Sequence, residues 1–138
     1  MSMAQLIVYL HFNGDCKQGM EFYKKIFGGE LKVMTVGQSP MAAQRPEVKD
    51  KILHSILRGE GVVIMASDWL FAEERKPGNT VALTLVCQNK DEIKSLYTKL
   101  LEGGKIKQPL KEEFFGTYAQ LIDRFGFNWM LQFGQTDM

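Results

Sequence analysis

The sequence predicts an α+β protein in which a βαβββ unit occurs twice. Three observations carry this reading. Runs of β-branched and aromatic residues flank two stretches of helical apolar periodicity. Each helical stretch ends in Gly-Gly, where glycine takes the left-handed closing conformation without a Cβ clash. The segments around those glycines also recur in the same order in both halves.

The elements follow in chain order. Residues 5–12 (QLIVYLHF) read as a strand bounded by Asn13-Gly14-Asp15, with Asp15 as the expected helix cap. Cys16, Met20, Tyr23 and Phe27 recur at helical spacing over 16–27, with Phe22 and Ile26 beside them, and Gly28-Gly29 closes that helix. Residues 30–36 alternate as a strand. Residues 37–50 carry two prolines without periodicity and read as a long loop, placed to act as a lid. Residues 52–57 and 62–67 flank Arg58-Gly59-Glu60-Gly61, a hairpin signal. Residues 68–79 read as a linker carrying the charged run Glu73-Glu74-Arg75-Lys76. The pattern then restarts: a strand over 81–87, a helix over 90–102 closed by Gly103-Gly104, a strand at KIKQPL, and a hairpin of 118–122 with 127–133.

The duplication is visible in the residues. Gly28-Gly29-Glu30-Leu31-Lys32 corresponds to Gly103-Gly104-Lys105-Ile106-Lys107, and GVVIM at 61–65 to GFNWM at 126–130. The second interval is shorter, as expected if the first copy carries the extra loop 37–50. Two such units pair most economically into one curved, cup-like mixed sheet with helices outside. The whole chain, 1–138, reads as a single domain, with a first unit at about 4–68, a linker at 69–79 and a second unit at about 80–134.

Composition narrows the function. Seventeen Lys and Arg against sixteen Asp and Glu leave a formal charge of +1, so nucleic acid and anionic membranes are not expected partners. No apolar run approaches the roughly 20 residues that span a bilayer. The opening MSMAQLIVYLHF lacks the features of a signal peptide, so a cytoplasmic location is expected. Cys16 and Cys87 stand alone, without the spacing of a zinc site or a disulfide framework. No P-loop, GxGxxG, GxSxG or HExxH motif occurs.

FNGDCKQGMEFYKKIFGG resembles the opening of the vicinal oxygen chelate superfamily, which includes glyoxalase I, extradiol dioxygenases, and fosfomycin and bleomycin resistance proteins. VYLHFNG, ILHSILRGEGVVIMASD, PGNTVALTL and FFGTYAQLIDRFGFNWML are similar to its PhnB-like branch, often labelled as a 3-demethylubiquinone-9 3-methyltransferase-like domain. The resemblance covers nearly the whole chain. It implies the glyoxalase-like cup and a homodimer, but one fold hosts many chemistries. Methyl transfer itself finds no glycine-rich cofactor loop or nucleotide-binding signature here.

Metal-dependent members of the superfamily place His, Glu or Gln on the first and last strands of each unit. The corresponding positions fall at Val8, Met65, Ala82 or Leu83, and Met130, none of which binds a hard divalent ion strongly. Their neighbours Ile7, Ile64, Thr84 and Trp129 are no better. No metal ligand and no cofactor are expected.

Strand alternation then suggests a cup lined by Val8, Leu10, Phe12, His54, Ile56, Val63, Met65, Ser67, Leu83, Ala119, Leu121, Met130 and Gln132. Phe114, Phe115 and Tyr118 would stand at its rim. His11 is expected on the opposite face. A Gly59-Glu60 turn would set His54 opposite Met65, either as a structural histidine or as a ligand contact. Such a pocket, if side chains do not fill it, suits a small partly apolar molecule. A metal-free enzyme with His54 as general acid or base is the alternative, and a glyoxalase-like lyase or isomerase a third.

Overall fold

The computed structural model describes residues 3–134. The chain divides into two compact units, Met1–Arg75 and Lys76–Met138. The boundary lies within the expected linker.

The first unit contains β1 (Val8–Phe12), α1 (Cys16–Phe27), β2 (Glu30–Thr35), β3 (Ile52–Gly59) and β4 (Val62–Asp68). Its sheet has the order β1-β4-β3-β2, with β1 parallel to β4 and the other pairs antiparallel. The second unit contains β5 (Leu83–Val86), α2 (Lys90–Leu101), β6 (Lys105–Glu113), β7 (Gly116–Ile122) and β8 (Asn128–Phe133). Its order, β5-β8-β7-β6, repeats the first unit strand for strand, and β5 again lies parallel to β8. The duplicated βαβββ pattern is therefore present. Its strands form two four-stranded sheets rather than the single expected one.

The paired glycines explain why the repeat is written in Gly-Gly. Gly28 and Gly103 have φ of 74° and 76°, the left-handed region that favours glycine. The second glycine of each pair makes room for the hairpin beyond. A Cβ on Gly29 would fall 2.3 Å from the Arg58 carbonyl oxygen, and one on Gly104 2.2 Å from that of Ile122.

Helix α1 begins differently from expectation. The Asp15 side chain makes no capping bond. The Asp68 carboxylate, arriving from the end of β4, accepts instead from the backbone N–H of Cys16 at 2.9 Å and of Ile52 at 2.8 Å. A buried carboxylate between two amides ties helix and sheet together in a way a local cap does not. In α2 the cap is local, with Asn89 accepting from the Glu92 amide at 2.8 Å. The loop after β2 contains two short 3₁₀ turns, Val36–Gln38 and Pro46–Val48.

Each helix covers one face of its sheet. In the first unit Cys16, Met20 and Tyr23 are buried with Leu10, Phe12, Leu57, Ile64 and Ala66. In the second, Ile93 and Leu100 are buried with Ala119, Leu121, Trp129 and Leu131. Among the described residues no helix is long and apolar enough to cross a membrane.

Candidate functional site

The opposite, helix-free face of the first unit is where polar side chains gather. The β3–β4 register pairs Ile56 with Met65 and Gly59 with Val62, so the turn is Glu60-Gly61 rather than Gly59-Glu60. The physical reason is that Gly61, with φ of 73°, takes the conformation the turn requires. His54 is thereby displaced from Met65. The register continued by one residue sets it beside Ser67. A shift of two positions leaves side chains on their expected face, so His54, Ile56, Val63, Met65 and Ser67 do lie together.

Strand β1 is the larger correction. It pairs Tyr9 with Met65 and His11 with Ser67, while Val8, Leu10 and Phe12 pair with Ile64, Ala66 and Asp68. Val8, Leu10 and Phe12 thus belong to the helix-covered face and not to the expected lining. Phe12 lies so close to α1 that a Cβ on Gly19 would fall 2.0 Å from its ring. Tyr9 and His11 occupy the face where the lining was expected.

The resulting cluster is connected. Tyr9 reaches across β4, and its hydroxyl lies 3.3 Å from His54 Nδ1. Ser67 Oγ lies 3.3 Å from His11 Nδ1. The residues just after β4 complete a rim, with the His11 ring edge-on to Trp69 at 5.3 Å and Phe71 at 5.8 Å between centroids. Arg75 Nε donates to the His11 carbonyl oxygen at 2.8 Å. Burial first, and the Arg75 charge second, hold His11 below its ordinary pKa of 6.5, so its ring is mainly neutral at pH 7.

In the second unit the β7–β8 register pairs Ala119 with Leu131, Gln120 with Met130 and Tyr118 with Gln132. Ala119 and Leu121 therefore face α2, because the actual pairing differs from the expected one by a single position. Leu83 pairs with Trp129 and belongs to the helix side as well. Tyr118, Met130 and Gln132 do share the helix-free face, joined by Thr84 and Gln120. Phe115 sits at the β6–β7 turn, its ring 5.9 Å from Tyr118 and 5.2 Å from the exposed Phe114.

Neither cysteine is placed for chemistry. Burial pushes the Cys16 thiol up to about 12 and the Cys87 thiol up to about 11, so both stay protonated.

The polar groups on the first unit's face comprise two imidazoles, a phenol and a serine hydroxyl, and the Nδ1 atom of each imidazole is engaged within the sheet. Among the described residues no three His, Cys, Asp or Glu side chains are grouped to hold an ion.

Duplicated βαβββ units with one helix-covered and one helix-free sheet face define a protein of the glyoxalase-like fold. The chain belongs to the family described as 3-demethylubiquinone-9 3-methyltransferase, whose model matches residues 4–132. It is 28% identical to Protein YjdN of Escherichia coli over 134 residues, covering 89% of this chain and 90% of that one. The crystal structure of protein PA1353 from Pseudomonas aeruginosa superposes with a TM-score of 0.86 at 33% identity, covering 97% of this chain and all of that one. The fosfomycin resistance protein FosX from Listeria monocytogenes matches in fold, with a TM-score of 0.63 at 15% identity, covering 98% of this chain and 96% of that one.

Proposed function

We propose that the protein binds a small, partly apolar molecule on its helix-free sheet faces without a metal. The observation that carries this is the Tyr9–His54 and Ser67–His11 cluster, set among Ile56, Met65, Trp69 and Phe71. Polar atoms convergent on an apolar floor are the usual character of a small-molecule site. We further propose that it works as a homodimer, as the family resemblance implies, and in the cytoplasm.

Native mass spectrometry of the protein purified gently from its own source tests this reading. The expected result is a dimer carrying an organic adduct and no stoichiometric metal. A divalent ion bound at one per subunit would overturn it and return metal-assisted chemistry to first place.

A second, enzymatic reading is favoured by one contact. The largely neutral His11 imidazole stands beside the buried Ser67 hydroxyl, a geometry in which it can accept a proton. The nearby Asp68 carboxylate serves the opposite face and does not orient it. In this reading His54 is the second acid–base group. Turnover of any small substrate that survives unchanged in both His11→Gln and His54→Ala would remove it.

A further inference from the structure

Both imidazoles on the first unit's helix-free face are engaged through Nδ1 from within the sheet. Tyr9 is the natural donor to His54, because a phenol proton is more acidic than the N–H of a neutral imidazole. Ser67 is only 6% exposed, and among the described residues its hydroxyl meets His11 Nδ1 alone. If His11 donated instead, the buried serine proton would have no acceptor, so Ser67 is the donor. The hydrogen bond at one ring nitrogen sets the tautomer at the other. In the neutral ring this arrangement holds the proton on Nε2 at both positions, and neither Nε2 meets a partner among the described residues.

We propose that these two Nε2–H groups recognise hydrogen-bond acceptor oxygens, so that the bound molecule is a flat apolar body bearing carbonyl or carboxylate groups rather than an amine. This deepens the binding reading above and rests on it. Met34, which pairs with His54, Ile56 and Met65 offer the floor for the apolar body, and Phe71 an exposed ring beside His11. Charge points the same way. Arg75 is bonded to the His11 carbonyl, Asp68 is turned to the helix side, and Glu30, farther along the face, is bridged to Lys32 at 3.8 Å. An oxyanion would meet the two imidazole N–H donors, whereas an ammonium would find only the Tyr9 and Ser67 hydroxyl oxygens as acceptors in the cluster, both already engaged with the histidines.

Calorimetric titration of the full chain with 2-naphthoate, 2-naphthylmethylammonium and neutral 2-methylnaphthalene separates the possibilities. Naphthoate is expected to bind about ten-fold more tightly than the ammonium probe, the scale of one or two hydrogen bonds. His54→Leu and His11→Leu should each weaken naphthoate by about five- to ten-fold. His54→Gln, which keeps an N–H donor, should recover most of its share. Nitrogen NMR shifts of the unliganded protein should report the Nε2–H tautomer at both histidines. Equal affinity for the naphthoate and ammonium probes, or an Nδ1–H tautomer at either ring, would overturn the acceptor proposal while leaving a binding site in place. No binding of any of the three probes would count against the binding reading itself.

Discussion

Ser67 and Asp68 are neighbours in β4 and serve opposite faces of one sheet. The Ser67 hydroxyl meets His11 Nδ1 at 3.3 Å on the helix-free side, while the Asp68 carboxylate accepts from the Cys16 and Ile52 amides at 2.9 and 2.8 Å beneath the helix. The candidate site and the anchor of α1 are therefore built from consecutive residues.

Asp68→Ala should orphan two backbone donors and destabilise the protein by on the order of 3 kcal/mol. Urea unfolding checks this, with the midpoint falling and the slope unchanged. Asp15→Ala, at the position whose side chain makes no capping bond, should move the midpoint far less.

Gly19 faces the Phe12 ring so closely that any side chain must displace it. Gly19→Ala should cost about 1–3 kcal/mol by overpacking, despite the better helix propensity of alanine. Pairing it with Phe12→Leu should return part of that loss. Strictly additive costs in the double variant would contradict the direct contact.

His11 links stability to acid. Its folded pKa lies below the unfolded 6.5, so the unfolded chain takes up a proton first as pH falls. The stability tied to its neutral form is complete above about pH 6.5 and declines below it. The difference in unfolding free energy between wild type and His11→Asn should shrink on acidification through that range. A difference that stays constant with pH would mean that His11 titrates normally.

Tyr9→Phe removes the hydroxyl that holds His54 while keeping the aromatic ring. Naphthoate affinity should fall by about three- to five-fold, near the worth of one hydrogen bond, and the His54 tautomer should become mixed. Loss of affinity without any change in the His54 nitrogen shifts would instead place the Tyr9 hydroxyl in direct contact with the ligand.

Much of the architecture was legible because its signals are local. Helix α1 spans the residues whose apolar spacing predicts it, Cys16–Phe27, and Gly-Gly marks the close of both helices. The faces of the strands were harder, for two physical reasons. In Val8–Phe12 both phases carry large side chains, so alternation alone does not choose between them. The polar-tipped phase, Tyr9 and His11, is the one that avoids the helix, and that was the usable signal. At β5 the same rule selects Thr84 over Leu83. The second reason is parity. The first hairpin differs from expectation by two positions, which keeps every face, but the second differs by one, which reverses Ala119 and Leu121. Trp69 and Phe71 lie in a segment without periodicity, where pattern reading has nothing to act on.

Strand β1 lies at the edge of its sheet and joins β4 in parallel, with His11 and Ser67 separated by 56 residues of chain. The β3–β4 hairpin closes over only two residues, so loop entropy favours its formation first, and β1 docks onto a platform already made. Half of the candidate site is in this sense delivered late in folding. The same edge should be the first part of the sheet to open, giving the Tyr9 and His11 amides faster hydrogen exchange than those of Leu57 or Ile64.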